Sequence, residues 1–203
     1  VRTALGNGVD VGAHVGFPDL VGFGRRQMQM EPAELSACVL YQLAALSGMA
    51  RAAGHRMTHM SFHGALGNMA AADAALADPL VRAVADFDPT LTVSTSASRA
   101  IEGAAERCGL RVRTTFLADR ACGDDGLLVP RKLPDAVIHD RGAVLARVRQ
   151  LLEQGTVTSY SGREIPMRAH SILLHGDTPG AVELARAVRE VVEQAGRVVP
   201  ISR

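Results

Sequence analysis

Short apolar runs alternate with longer amphipathic ones along the whole 203-residue chain, and no strand-to-strand meander dominates. Brief apolar runs bounded by Gly, Pro, Asn or Asp read as strands, and runs with a 3.6-residue period read as helices. Strands are predicted at 9–13, 57–62, 91–95, 111–116, 171–174 and 197–200. Helices are predicted at 32–54, 65–87 with a break at Pro79, 98–108, 143–153 and 181–194. A small hairpin at 156–160 and 164–167 turns on Ser161-Gly162, and Val1 to Leu5 has the look of a helix tail that ends at Gly6-Asn7-Gly8. Strands separated by helices must run parallel, so the fold class is α/β with a parallel sheet, open or closed into a barrel. There is no repeat, low-complexity segment or linker, which makes residues 1–203 a single domain. A full (β/α) barrel takes about 250 residues. The shorter chain, and its start at Val1 rather than Met, lead us to expect that an N-terminal βα portion is absent.

Composition removes several function classes. The net charge is +1 and aromatics are 3%, which favours neither nucleic acid nor a membrane surface. No apolar stretch reads as a membrane span or signal peptide. Cys38, Cys108 and Cys122 are odd in number and lack CxxC spacing. They form neither a disulfide framework nor a thiolate cluster, so a reducing, cytoplasmic setting is expected.

Chemistry concentrates where strands end. In parallel α/β folds the carboxyl ends of the strands carry the ligand site. His14, His63 and His175 each follow a predicted strand, and a shared site at those ends is the reading that unites them. Each alone would pass as a half-buried structural histidine. In Ser171-Ile172-Leu173-Leu174-His175-Gly176-Asp177-Thr178-Pro179-Gly180, a buried strand runs into His175 and Asp177, and then Thr178 and Pro179 have the look of an N-cap and first helical residue. Asp177 is either a site carboxylate or a loop residue ahead of that cap. Asp119 and Arg120 follow another strand and serve either the site or a mutual ion pair. Asp140 reads as an N-cap, and His55, His59 and His170 as structural. Arg25 and Arg26 lie in the long Gly-rich loop 15–30; a two-pronged guanidinium there suits a carboxylate or phosphate, one of the pair being left to solvent. That loop is no P-loop, since no GxxxxGK[ST] follows. His and Asp side chains could also hold zinc or another divalent ion. No HxxH-type helical spacing supports this, and no metal ligand is assigned.

Several blocks resemble the LamB/YcsF family, the A subunit of the bacterial ATP-hydrolysing 5-oxoprolinase. They are Gly12-Ala13-His14 with Phe17-Pro18-Asp19-Leu20 and Gly22-Phe23-Gly24-Arg25-Arg26, His63-Gly64-Ala65-Leu66 with Asn68-Met69, and Ala118-Asp119-Arg120. Leu128-Val129-Pro130-Arg131, Ala136-Val137-Ile138-His139-Asp140 and His175-Gly176-Asp177-Thr178-Pro179-Gly180 complete the set, in order over essentially the whole chain. The resemblance implies an irregular (β/α) barrel of the glycoside hydrolase/deacetylase type, here lacking its first βα units. It implies opening of 5-oxo-L-proline, or a related lactam, to L-glutamate with ATP as cosubstrate and two partner subunits. It also implies His14, His63, His175, Asp177 and Asp119 as catalytic candidates, and Arg25, Arg26, Arg120 and Asn68 as substrate or phosphate holders. Self-association into a homo-oligomer is compatible with it.

The chain departs from the family pattern at Ser61-Phe62, where Lys-Pro is usual, at Gly67 and Cys122, where Tyr is usual, and at Thr115, near which an acidic residue is common. A second function class therefore stands beside the enzyme: a non-catalytic or repurposed member acting as a binding or scaffold partner. A metal-dependent carbohydrate deacetylase is a third reading, by fold analogy alone.

Overall fold

A computed structural model describes every residue except Thr178, Arg197, Pro200, Ser202 and Arg203. The chain forms two compact units, one built on Val1–Arg113 and the other on Thr114–Val199.

In the first unit a short helix α1 (Arg2–Gly6) leads to β1 (Val11–Val15), α2 (Pro32–Ala52), β2 (Met57–Phe62), α3 (Gly64–Ala72), α4 (Ala74–Phe87), β3 (Thr92–Thr95) and α5 (Arg99–Arg107). β2 pairs in parallel with β1 on one side and β3 on the other, as helical connections require. Helices α2, α4 and α5 pack on one another, α4 in contact with both others. The core is aliphatic: Leu35, Leu43, Met60, Leu66, Leu80 and Val93 are fully or almost fully buried. α2 has 21 residues and a mean hydropathy of 1.2 over its most apolar window, enough by length and composition for a membrane span. That departs from the expectation that no stretch would qualify. Its Leu35, Val39 and Leu43 are spent on the core instead.

The predicted break at Pro79 falls elsewhere. α4 runs through Pro79, and the interruption is at Asp73. Asp73 takes an extended backbone, and its carboxylate accepts the amide hydrogen of Ala75, which caps α4. α5, predicted from residue 98, starts at Arg99 and is capped by Ser98, whose hydroxyl accepts from Ile101 N and donates to Ala71 O.

In the second unit β4 (Arg111–Leu117, within the unit from Thr114 onward) is followed by a loop, α6 (Arg141–Gln154), the hairpin β5 (Thr156–Thr158) and β6 (Glu164–Pro166), then β7 (Ser171–Leu173) and α7 (Ala181–Ala195). β4 and β7 are parallel, with Thr115 opposite Ser171 and Leu117 opposite Leu173. β7 is half-buried rather than buried, because it pairs on one side only among the described residues. The expected start of α7 also shifts. Its N-cap is Gly180 in the left-handed region, so Pro179 precedes the helix instead of opening it. The cap expected at Thr178 lies outside the described residues, as do Arg197 and Pro200 at the ends of the last predicted strand. Asp140 does cap α6, accepting from Ala143 N. The parallel pairings and helical connections make the fold class α/β, as the alternation implies.

Candidate active site

In the first unit the β1–β2 register puts His14 opposite Ser61, and their Nδ1 and Oγ share a hydrogen bond of 2.7 Å. His14 lies inside β1, one residue before its end, rather than after it. His63 follows β2 directly and stands at the N-cap of α3. The two imidazoles meet edge to face with ring centroids 4.7 Å apart. The long loop supplies the other wall. His63 Nε2–H donates to the Phe23 carbonyl at 2.6 Å, and the Phe23 ring lies edge-on to His63 at 5.1 Å. A carbonyl only accepts, so the neutral His63 ring keeps its lone pair on Nδ1.

Two glycines make this contact possible. A Cβ on Gly64 would stand 2.6 Å from the Gly24 carbonyl oxygen, and Gly64 has φ +55°. That carbonyl accepts from Ala65 N, in the first turn of α3. Gly24, at φ +65°, leaves the His63 ring room to approach.

The loop's arginines divide. Arg26 pairs with the buried Asp19 through two guanidinium nitrogens, its Nε donating at 2.9 Å. Arg26, with the Gly22 amide, holds the Asp19 carboxyl down to about 2 against the opposing effect of burial. Arg26 is thus committed to closing the loop. Arg25 lies with its guanidinium 5.2 Å from the centre of the Phe23 ring. Asn68 is on the exposed side of α3. Sequence reasoning missed Gln42, whose amide donates to the Gly16 carbonyl and accepts from Gly16 N, fixing the chain just beyond β1. Its place in the sequence is suggestive: it is three residues after Val39 and beside Leu43, on the edge of the buried stripe of α2.

In the second unit Asp119 and His175 form a dyad. His175 Nδ1–H donates to both carboxylate oxygens, at 3.0 and 2.9 Å, and the His175 backbone N–H donates to Oδ2 at 3.0 Å. Asp119 is 4% exposed. Burial pushes its pKa up, but the hydrogen bonds and charge of His175 outweigh burial and leave it lowered. The anchored Nδ1 leaves Nε2 with the lone pair in the neutral ring. Such a carboxylate-oriented imidazole is suited to take a proton from water or a hydroxyl.

Arg120, 4% exposed, donates from Nε to Ala136 O and from Nη2 to Val129 O, so it organises the loop after β4. Of the two readings of this pair, Asp119 turns to the site histidine, while Arg120 is spent on carbonyls of its own loop. Asp177 is exposed in the turn after β7. Among the described residues no group of three His, Cys, Asp or Glu side chains is arranged to hold a metal ion.

The departures from the expected family pattern are locally accommodated. Ser61 bonds His14, and the Thr115 hydroxyl bonds that of Ser171 at 2.8 Å. Cys122 is buried. A Cβ at Gly67 would stand 2.5 Å from the Phe62 carbonyl oxygen, so any side chain there requires α3 to shift from β2.

This is a parallel α/β protein whose strand ends carry histidines, one of them held by a buried carboxylate. The comparisons are narrower. The LamB/YcsF family's sequence model matches residues 1–202, and the chain belongs to that family. It is 63% identical to a protein from Pseudomonas syringae pv. tomato that is named as an A subunit of 5-oxoprolinase, over 100% of this chain and 80% of that protein. It is 62% identical to a 5-oxoprolinase A subunit from Ralstonia nicotianae, over 100% of this chain and 78% of that one. A crystal structure of the lactam utilization protein from Thermus thermophilus superposes with a TM-score of 0.87 at 41% identity, covering 98% of this chain and 79% of that chain. The fold is therefore the barrel-type α/β fold of this family.

Proposed function

We propose that the chain is the A-type subunit of an ATP-dependent lactamase acting on 5-oxo-L-proline or a close relative, with companion subunits, and that it releases L-glutamate. The observation that carries this reading is the Asp119–His175 dyad in a chain whose relatives are named as the A subunit of 5-oxoprolinase.

A lactam is a poor electrophile because its nitrogen lone pair is delocalised onto oxygen. ATP, when bound, supplies the phosphoryl group that makes the amide oxygen a leaving group. What remains for this chain is proton handling and orientation. His175 Nε2 takes a proton from water as the water oxygen bonds to the ring carbonyl carbon. Asp119 holds Nδ1–H and stabilises the imidazolium that forms. The ring C–N bond then breaks, and the nitrogen takes up the proton to become the amine, which leaves the phosphoryl group on the new carboxyl; a second water cleaves that acyl phosphate to release inorganic phosphate and L-glutamate. Of the three arginines named from the sequence as anion holders, Arg26 and Arg120 are engaged with Asp19 and with backbone carbonyls.

The test is phosphate release from ATP by the purified chain, alone and with its companion subunits, over a panel of lactams. The expected result is phosphate release stimulated by 5-oxo-L-proline, with matching glutamate, once the companions are present. Absence of lactam-stimulated turnover in every combination would replace the enzyme reading with the binding or scaffold one.

A further inference from the structure

The loop between β1 and α2 carries a feature the dyad does not use. At its tip Leu20 is 98% exposed, Val21 91% and Phe23 62%. Isolated exposed apolar side chains are ordinary, but three within four residues of one turn are not. The turn is also firmly built. Asp19 accepts from the Gly22 amide and from Arg26, and the Asp19 carbonyl accepts from Gly24 N. Phe23 is held at φ +53°, a region that non-glycine residues avoid. A hydrophobic tip left to water should collapse onto its own domain. Here an ion pair on the buried Asp19 carboxylate and a strained residue hold it out.

Resting on the subunit reading above, we propose that this turn is a docking knob: Leu20 and Val21 insert into an apolar cleft on a companion subunit of the complex. Two observations choose that occupant over a second copy of the chain. The relatives are named as one subunit of a larger enzyme. The knob is also continuous with the candidate site, since Phe23 carries the carbonyl that fixes His63 and the ring that packs on it. A companion seated on Leu20 and Val21 would lie next to the Phe23 residue that packs on His63. Because the turn is rigid before binding, little ordering entropy is lost on docking, as in other preorganised anchors.

The experiment measures affinity of the full chain for each purified companion subunit by titration calorimetry. The variants are Leu20→Gln/Val21→Thr and, as a control on the outer face of α2, Met49→Gln. Both variants are first shown by circular dichroism and melting to be folded. The expected result is at least roughly 30-fold weaker binding by the loop variant, the effect of losing one anchor residue, with Met49→Gln unchanged. Wild-type affinity in the loop variant overturns the proposal and leaves the subunit reading intact. Equal weakening by Met49→Gln overturns the assignment to this turn. Binding of neither companion by the wild type overturns both readings. Wild-type self-association abolished by the loop variant gives the knob to a second copy instead.

Discussion

At the scale of single residues, the contrast between Asp119 and Asp177 is instructive. Both follow a strand in the sequence and both are carboxylates. Asp119 is buried and orients a histidine ring, whereas Asp177 stands exposed in its turn. Removing the charge of Asp119 while keeping its shape should therefore separate chemistry from folding. Asp119→Asn can still accept from the His175 backbone, but it no longer stabilises an imidazolium. With the companions present, kcat for lactam-dependent turnover should fall by roughly 10⁴-fold, in line with the loss when a triad aspartate becomes asparagine. The melting temperature should change little, and KM less than kcat, because the lost interaction belongs to the transition state. A variant with near-normal kcat would remove His175 from the base role. The same scale shows why His59 is structural: its ring lies where a Cβ on Gly12 would be, so that glycine and that histidine fill one space across the β1–β2 pair.

Elements were more legible than contacts. The limits of β2 fall where its apolar run predicts, and α2, α5 and α6 fall within a few residues of their predicted spans, because caps and periodicity are local signals. His14 and His63 could be paired in advance, since adjacent parallel strands end side by side. What stayed illegible came from contacts distant in sequence. Arg26 and Arg25 are equivalent to a reader of the chain, and only the fold of the loop gives one to Asp19 and the other to the Phe23 face. Arg120 reads as an anion holder until Val129 and Ala136 return to it. Pro79 reads as a break, but the carboxylate of Asp73 provides the stronger boundary.

The β1–α2 loop gives a prediction of its own. Asp19 has a carboxyl held at about 2 in the folded loop, against about 3.8 in a free chain. A lowered folded value means the pairing is fully present above the free value and is lost as pH falls toward 2. An acid-active protease should therefore leave the turn at 20–23 intact at pH 4 and cut it increasingly as pH approaches 2. Arg26→Gln removes the main cause of the lowered value and should allow cutting already at pH 4, read by mass spectrometry of the fragments. Equal resistance in both proteins at pH 4 would show that the ion pair does not hold the turn.

For the whole molecule, the groups that titrate on the acid side of neutrality point one way. Asp19 in the first unit and Asp119 and Asp124 in the second are all lowered, Asp124 by the hydroxyls of Ser159 and Ser161 and by Arg163. His59 is lowered too, because burial disfavours its charged form more than nearby Asp10 favours it. In each case the unfolded chain binds the proton more readily than the folded one, so each contributes stability that falls as pH falls. Their windows differ. The His59 contribution is complete above about 6.5 and is lost below it, while the aspartate contributions hold until about 3.8 and are lost beneath that. Thermal stability should therefore decline in two stages on acidification, with no compensating rise between them. One proton limits the first stage to about 1.4 kcal/mol per pH unit. Calorimetric melting from pH 7.5 to 3 tests this. His59→Gln, whose neutral amide has no proton to gain, should flatten the first stage and leave the second in place, and an unchanged slope between pH 6.5 and 5 in that variant would assign the first stage to another histidine.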